Sequence, residues 1–301
     1  MSSATQLDLQ QLISMQQQVA KLAVRRKYIR SPLSGAHLSR LRGRGMEFDE
    51  VRVYQVGDEV SSIDWKVTAR KGVTHTKMFR EERERPVLIC LDYRQSMFFA
   101  TQGCLKAVMA TQVLSLLAWH GVAHGDRLGG LLFSDQEHHE VKPVRGRKGV
   151  LKFLHACVQS SAWKKSHGET VQQSSLTEIT ARLRHVSKPG SLVYMLSDFR
   201  GLSEESVANL AQLARHNDVV LISITDPIEK LFPAKGEFPV FDGKSYFTCY
   251  GDKELQQCLA QQYEQRVSLL DQLRNQYGIQ HIEFMTDDDV SEKVREYAWA
   301  L

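Results

Sequence analysis

The chain has 301 residues, of which 42% are hydrophobic and 25% charged, with a formal net charge of +4. That balance excludes a disordered or fibrous chain, and the length suffices for one large domain with an appendage around a substantial core. No apolar run approaches the ~20 residues that a membrane-spanning helix needs, and MSSATQLDLQQL lacks the charged-then-apolar layout of a secretory signal, so a cytoplasmic protein is expected. The five cysteines, Cys90, Cys104, Cys157, Cys249 and Cys258, are scattered with no C-x-x-C pair. They read as reduced core residues and not as a disulfide frame or zinc site.

Residues 5–27 carry Leu9, Leu12, Ile13, Val19, Leu22 and Ala23 at helical spacing between glutamines, which predicts an amphipathic N-terminal helix. Pro32 and the glycines Gly35, Gly43 and Gly45 end it. Arg25, Arg26, Lys27, Arg30, Arg40, Arg42 and Arg44 crowd this region. No aromatic side chain is interleaved among Arg40–Arg44 to stack on bases, so a solvated face or an arm for an acidic partner is favoured over nucleic acid. From Glu47 to Glu84, short extended pieces at 51–56, 63–67 and 74–80 are divided by Gly57-Asp58 and Lys71-Gly72, which predicts a small β-rich subdomain. Trp65 and Tyr54 read there as core anchors, and Arg52, Asp58, Asp64 and Arg70 as a charged network.

After Pro86, strands and helices alternate. Val87–Leu91 is a continuous apolar run suited to a strand buried on both faces, and an apolar helix follows over 103–120. Further strands are expected at 127–133, 140–144, 191–197, 219–225 and 279–285. Helices are expected at 148–159, 174–186, 204–216, 253–277 and 290–300, and a small two-piece insertion lies within about 228–252. The fold class is therefore α/β, a doubly wound, mainly parallel, Rossmann-like sheet at 86–301, preceded by an N-terminal helix and the β-rich subdomain at 1–85. His120 and His124 flank Gly121 near a helix end, and His138-His139 fall on opposite faces of a strand, so neither pair reads as a metal site. The Lys142, Arg145, Arg147, Lys148 run lacks a Gly-x-x-x-x-Gly-Lys-Ser/Thr cradle and reads as a solvated loop.

Two buried strands end in aspartate, at Leu91-Asp92 and Ser197-Asp198. Sites in doubly wound sheets lie past the carboxyl ends of the strands where the strand order reverses. Adjacent strand ends there would bring both carboxylates to one rim, where they repel unless a cation or proton separates them. A Mg²⁺ ion completed by Ser96 and the hydroxyl of Ser174 or Ser175 is one solution. The alternative is that the aspartates and Ser96 cap the following helices.

Asp92-x-Arg94-x-Ser96 with Ser197-Asp198 resembles the metal-ion-dependent adhesion motif of von Willebrand A domains, Asp-x-Ser-x-Ser with a later aspartate. The resemblance puts Ser174 in the place of the family's threonine ligand. Upstream, Gly43-Arg-Gly45-Met-Glu47-Phe48, Arg52-Val-Tyr54, Gly57-Asp58, Ile63-Asp64-Trp65 and Ala69-Arg70 resemble the hallmark block of the bacterial family associated with MoxR-type AAA ATPases. The likeness covers roughly residues 30–225. It implies a von Willebrand A-like domain acting with such an ATPase as a co-chaperone or assembly factor for a client complex.

Two departures stand out. Ser61 occupies the place of the block's usual arginine after Gly-Asp, and Arg94 stands where the motif has its first serine. A guanidinium is permanently charged and bonds carboxylates two at a time. Arg94 is therefore expected either to displace the Mg²⁺ by pairing with Asp92 and Asp198, or to point outward to a partner. With no nucleophile beside a base in evidence, a non-enzymatic binding module is the leading expectation. The rival is a magnesium-dependent phosphoryl hydrolase of haloacid dehalogenase type with Asp92 as nucleophile, although Arg94 holds the place of that motif's second aspartate.

Overall fold

The computed structural model describes residues 4–19, 46–81, 85–164, 175–241 and 246–297. Along the chain run α1 (Leu9–Ser14), α2 (Gln16–Val19), β1 (Met46–Val53), α3 (Trp65–Lys71), β2 (His75–Glu81), β3 (Pro86–Asp92), α4 (Lys106–Ala123), β4 (Arg127–Phe133), β5 (His138–Arg145) and α5 (Arg147–Gln159). They are followed by α6 (Leu176–Val186), β6 (Leu192–Ser197), α7 (Glu204–Ala214), β7 (Asp218–Thr225), α8 (Pro227–Lys230), β8 (Glu237–Phe241), β9 (Tyr246–Tyr250), α9 (Lys253–Tyr277), β10 (Gln280–Met285) and α10 (Val290–Glu296). The contacts divide the chain into two units, one of Met1–Ile29 with Arg85–Leu301, the other of Arg30–Glu84.

The larger unit is α/β. Its six-stranded sheet has the order β10-β7-β6-β3-β4-β5, parallel at every pairing except β4 with β5. The central strands are apolar along their length because helices cover both faces. Alternation along β3 sends Ile89 and Leu91 into a core with α4, and Leu88 and Cys90 into a second core with α6, α7 and α9. Helix α4 is buried nearly all round, as its apolar sequence requires. The insertion expected at 228–252 contains the two-stranded β8–β9 ladder.

The expected N-terminal helix exists at α1 and α2; its continuation to residue 27 lies outside the described residues. It groups with the α/β unit and not with the β-rich segment, in contrast to the division at residue 85 read from the sequence. Leu12, Met15 and Val19 enter the first core. The Leu12 carbonyl accepts hydrogen bonds from the Ser115 hydroxyl (2.7 Å) and Trp119 Nε1 (3.1 Å) on α4. An end carbonyl of a short helix is thereby satisfied by the surface it covers.

In the smaller unit β1 and β2 pair antiparallel. The extended piece expected at 63–67 is mostly helix instead. The Asp64 carboxylate accepts from Lys66 N and Val67 N, and Gly72 closes the helix in the left-handed region (φ 70°). The aspartate acts as an N-cap, so the Lys71-Gly72 signal marks a helix end and not a strand turn. Arg52 pairs with Asp58 at 2.7 Å, and Asp64 lies 3.6 Å from Lys77, so the four residues expected to form one charged network instead give two separate pairs, and no ion pair joins Arg70 to them among the described residues. Trp65 is 67% exposed and Tyr54 half-buried, which overturns Trp65 as a core anchor.

The two tryptophans therefore differ in what they hold. Trp119→Ala should lower unfolding stability by about 3–5 kcal/mol in urea titrations, whereas Trp65→Ala should stay within about 0.5 kcal/mol of the native chain.

Candidate functional site

After β3 the chain builds β4 and β5 on one side, then crosses to β6 on the other. The order thus reverses between β3 and β6, which lie side by side. Asp92 is the last residue of β3, and Asp198 follows the last residue of β6. Both are fully buried. The structure brings the two strand-end carboxylates to one rim, at the position where open α/β sheets form their crevice.

Arg94 closes that rim from within. Its Nε donates to both Asp92 oxygens (3.1 and 3.0 Å), Nη2 to Asp92 Oδ2 (2.8 Å), and its backbone N to Oδ1 (2.8 Å). Nη2 also lies 3.6 Å from Asp198 Oδ1. Nη1 donates to the Arg200 carbonyl at 3.0 Å. Of the two orientations open to Arg94, the inward one is found, with its side chain 9% exposed. Ser197 adds a hydroxyl bond to Asp92 Oδ2 (2.6 Å) and accepts from Phe199 N (2.9 Å). Phe199 is the one non-glycine residue with positive φ (53°) among those described. A conformation this uncommon for a bulky residue is held by its neighbours, and here it turns the Arg200 amide onto Asp198 Oδ1 (3.1 Å).

Behind Asp198 stands Lys106, whose side chain is wholly buried. Its Nζ donates to Asp198 Oδ2 (2.9 Å) and to Glu229 Oε1 (2.7 Å) on α8. Glu229 in turn accepts from Arg266 on α9 at 3.0 Å and lies 3.5 Å from Arg200. A lysine in the first turn of a helix opposes the helix dipole. Its place here is set by the two carboxylates. The result is an alternating buried series, Asp92, Arg94, Asp198, Lys106, Glu229, Arg266, that runs from the sheet to α9.

Burial would raise the Asp198 carboxyl, but Lys106 first and Arg94 second hold it well below the ordinary aspartate range. Burial pushes the Asp92 carboxyl up, against the pull of the Arg94 guanidinium. The two aspartates are thus driven apart in acidity by the number of cations each touches.

Other expected residues fare differently. Ser96 lies in the 3-10 turn Gln95–Met97 that follows Arg94, and its hydroxyl bonds neither aspartate. Ser174 lies outside the described residues. Its neighbour Ser175 caps α6 by accepting from Thr177 N at 3.1 Å. Among the described residues, no group of three or more His, Cys, Asp or Glu is placed to hold a metal ion. Lys106, Glu229, Arg200 and Arg266 were not singled out from the sequence. Lys106 had a usable signal, because a charge heading an otherwise apolar helix must be paired if the helix is buried. Glu229 and Arg266 had none, since their partners lie 123 and 37 residues away.

Removing one member of a buried ion pair strands the other. Lys106→Met should therefore cost about 3–5 kcal/mol at neutral pH by urea unfolding. The sign of its pH dependence follows from Asp198. In the native chain the folded value lies below the ordinary 3.8, so its stabilisation is complete above that pH and lost as pH falls through the folded value. Without the lysine the largest group holding the carboxyl down is lost, its folded value rises relative to the native chain, and the deficit of the variant should shrink on acidification. A deficit that stays constant with pH would contradict the pairing.

Uncharacterized proteins of Mycobacterium bovis and of Mycobacterium tuberculosis H37Rv are each 29% identical over 213 residues, which is 71% of this chain and 65% of theirs. The chain thus matches just under two thirds of the length of these relatives. Among solved structures, a conserved hypothetical protein BatB from Bacteroides thetaiotaomicron aligns with a TM-score of 0.43 at 13% identity, covering 71% of this chain and 98% of that one. An aerotolerance-related membrane protein from Bacteroides fragilis aligns with the same score and identity, covering 71% and 96%. In this chain no described helix is long and apolar enough to cross a membrane. The family described as "Protein of unknown function DUF58" matches residues 50–268, well over half of the sequence, and the chain belongs to that family.

Proposed function

We propose that this chain is a non-enzymatic protein-binding module, a von Willebrand A-like domain that works in the cytoplasm with a MoxR-type AAA ATPase to assemble or mature a client complex. The observation that carries the reading is the rim itself. Two strand-end aspartates sit at the switch point of the sheet, and both are engaged by the chain's own cations. A nucleophilic Asp92 of the haloacid dehalogenase kind would need a carboxylate oxygen free to attack. Here Oδ1 accepts from Arg94 Nε and the Arg94 amide, and Oδ2 from Arg94 and Ser197. That favours binding over catalysis. The ATPase partner is supported by the hallmark block of residues 43–70, and the von Willebrand A-like assignment by Asp92, Ser96 and Asp198 in their motif positions together with the switch-point geometry.

The magnesium of the adhesion motif does not fit these residues. A hard divalent ion takes carboxylate oxygens as ligands. Arg94 occupies those of Asp92, and Lys106 and the Arg200 amide those of Asp198. An entering ion would have to displace two buried cations. Ser96 does not bond the rim carboxylates, and the motif's first serine is replaced by Arg94.

Co-expression with the MoxR-type ATPase encoded nearest to it in the source genome should yield a complex that co-elutes in gel filtration. Arg200→Glu, at the half-exposed cation of the rim, should weaken that complex without unfolding the chain. Failure of the purified proteins to associate, with or without nucleotide, would overturn the partner assignment. Magnesium titrated into the isolated protein should give no saturable heat, and stoichiometric tight binding would refute the displacement of the ion.

A further inference from the structure

We propose that the outer edge of β5 receives an extended basic segment of a partner protein, which pairs its backbone with His138 and Glu140 and sets its basic side chains against Glu137, Glu140 and Glu178. This edge uses none of the rim's aspartates or cations, so it is a second contact beyond the one proposed above.

β5 ends the six-stranded sheet, so one side of its backbone has no described strand beside it. The Phe133 carbonyl accepts from Tyr93 N on the β3 side (2.7 Å), which places Phe133 and its partner His138 in a pair that exchanges no hydrogen bonds. The N–H and C=O of His138 therefore face outward, and those of Glu140, opposite Leu131, do the same. Natural sheets blunt such edges with proline and lysine, and Lys142-Pro143 guards the second half of β5 in that way. The first half carries neither, and a groove of about 630 Å³ runs beside it.

Residues opposite one another in the ladder share a face of the sheet. His138 and Glu140 lie opposite Phe133 and Leu131, which enter the core with α6, so their side chains rise beside that helix. Arg182 on α6 meets both, at 2.5 Å from His138 Nε2 and 3.2 Å from Glu140 Oε1. The groove is lined by Ile179 and by three carboxylates, Glu137, Glu140 and Glu178, against this single guanidinium. Glu178 is exposed and makes no ion pair among the described residues. The excess of negative charge selects a basic occupant. A second copy of the chain would bring another Glu137 and Glu140 to the same edge, like charge against like charge. In an antiparallel addition, the residues whose N–H and C=O meet His138 and Glu140 are also those whose side chains face α6. Basic residues two apart then satisfy both the edge and the carboxylates. Strand addition takes its affinity from the backbone and its selectivity from alternate side chains.

The test titrates the full ¹⁵N-labelled chain with N-acetyl-Thr-Arg-Thr-Arg-Thr-amide. The backbone amide signals of His138 and Glu140 should shift saturably. A peptide with glutamate at both arginine positions, and another N-methylated at both arginines, should each bind about tenfold more weakly, because the first reverses the charge and the second removes donors that the edge needs. N-methylation of the central threonine, whose N–H faces away, should leave the affinity as it was. Glu178→Arg should weaken the arginine peptide about fivefold with an unchanged melting temperature. No saturable shift at His138 and Glu140, equal binding of the arginine and glutamate peptides, or equal binding of the two methylated peptides would overturn the proposal. So would a dimer of the chain that is dissociated by His138→Pro, which removes an outward donor, because a second copy would then hold the edge.

Discussion

The interior of this protein is organised around a buried lysine. Moving an ammonium out of water is costly unless it is paired and fully hydrogen-bonded, so Lys106 at the head of α4 requires carboxylates within reach. Asp198 comes from the end of β6 and Glu229 from α8. Meeting that requirement ties the first turn of α4 to β6 and to the segment after β7. Because Glu229 also accepts from Arg266, the requirement extends to α9 as well.

The second consequence concerns the site. Two carboxylates at the switch point of a parallel sheet repel one another, and that repulsion can be relieved by an ion from solution or by cations of the chain. Here the chain supplies both cations. Arg94, two residues after Asp92, reaches back to close on it, and Lys106 approaches from the side of α4. A rim neutralised by ion pairs with side chains of its own chain does not depend on a bound ion. It also leaves Arg200, the least buried of the four, as the group offered to solvent.

The N-terminal segment shows the same economy with polar backbone. α1 and α2 are too short to be stable by themselves, since helices of this length are marginal in water. They persist because Leu12, Met15 and Val19 bury in the core that α4 shares and because Ser115 and Trp119 donate hydrogen bonds to the Leu12 carbonyl. Sequence periodicity announced a helix here, but which surface it would join depended on residues about a hundred positions away.

The sequence by itself determined the α/β alternation, the apolar strands buried on both faces, and the aspartates at the ends of β3 and β6. Those features are local, because the period of hydrophobic residues and the residue at a strand end can be read within ten positions. Arg94 was legible as an anomaly for the same reason, since it interrupts a short motif. Tertiary structure alone decided that Arg94 turns inward, that Asp64 caps a helix instead of lying within an extended piece, and that Trp65 faces water. It also decided that Lys106, Glu229 and Arg266 join the site. Each of those outcomes depends on which distant groups share one desolvated space, and the free energy of a buried charge is set by that space and not by the residues beside it in the chain.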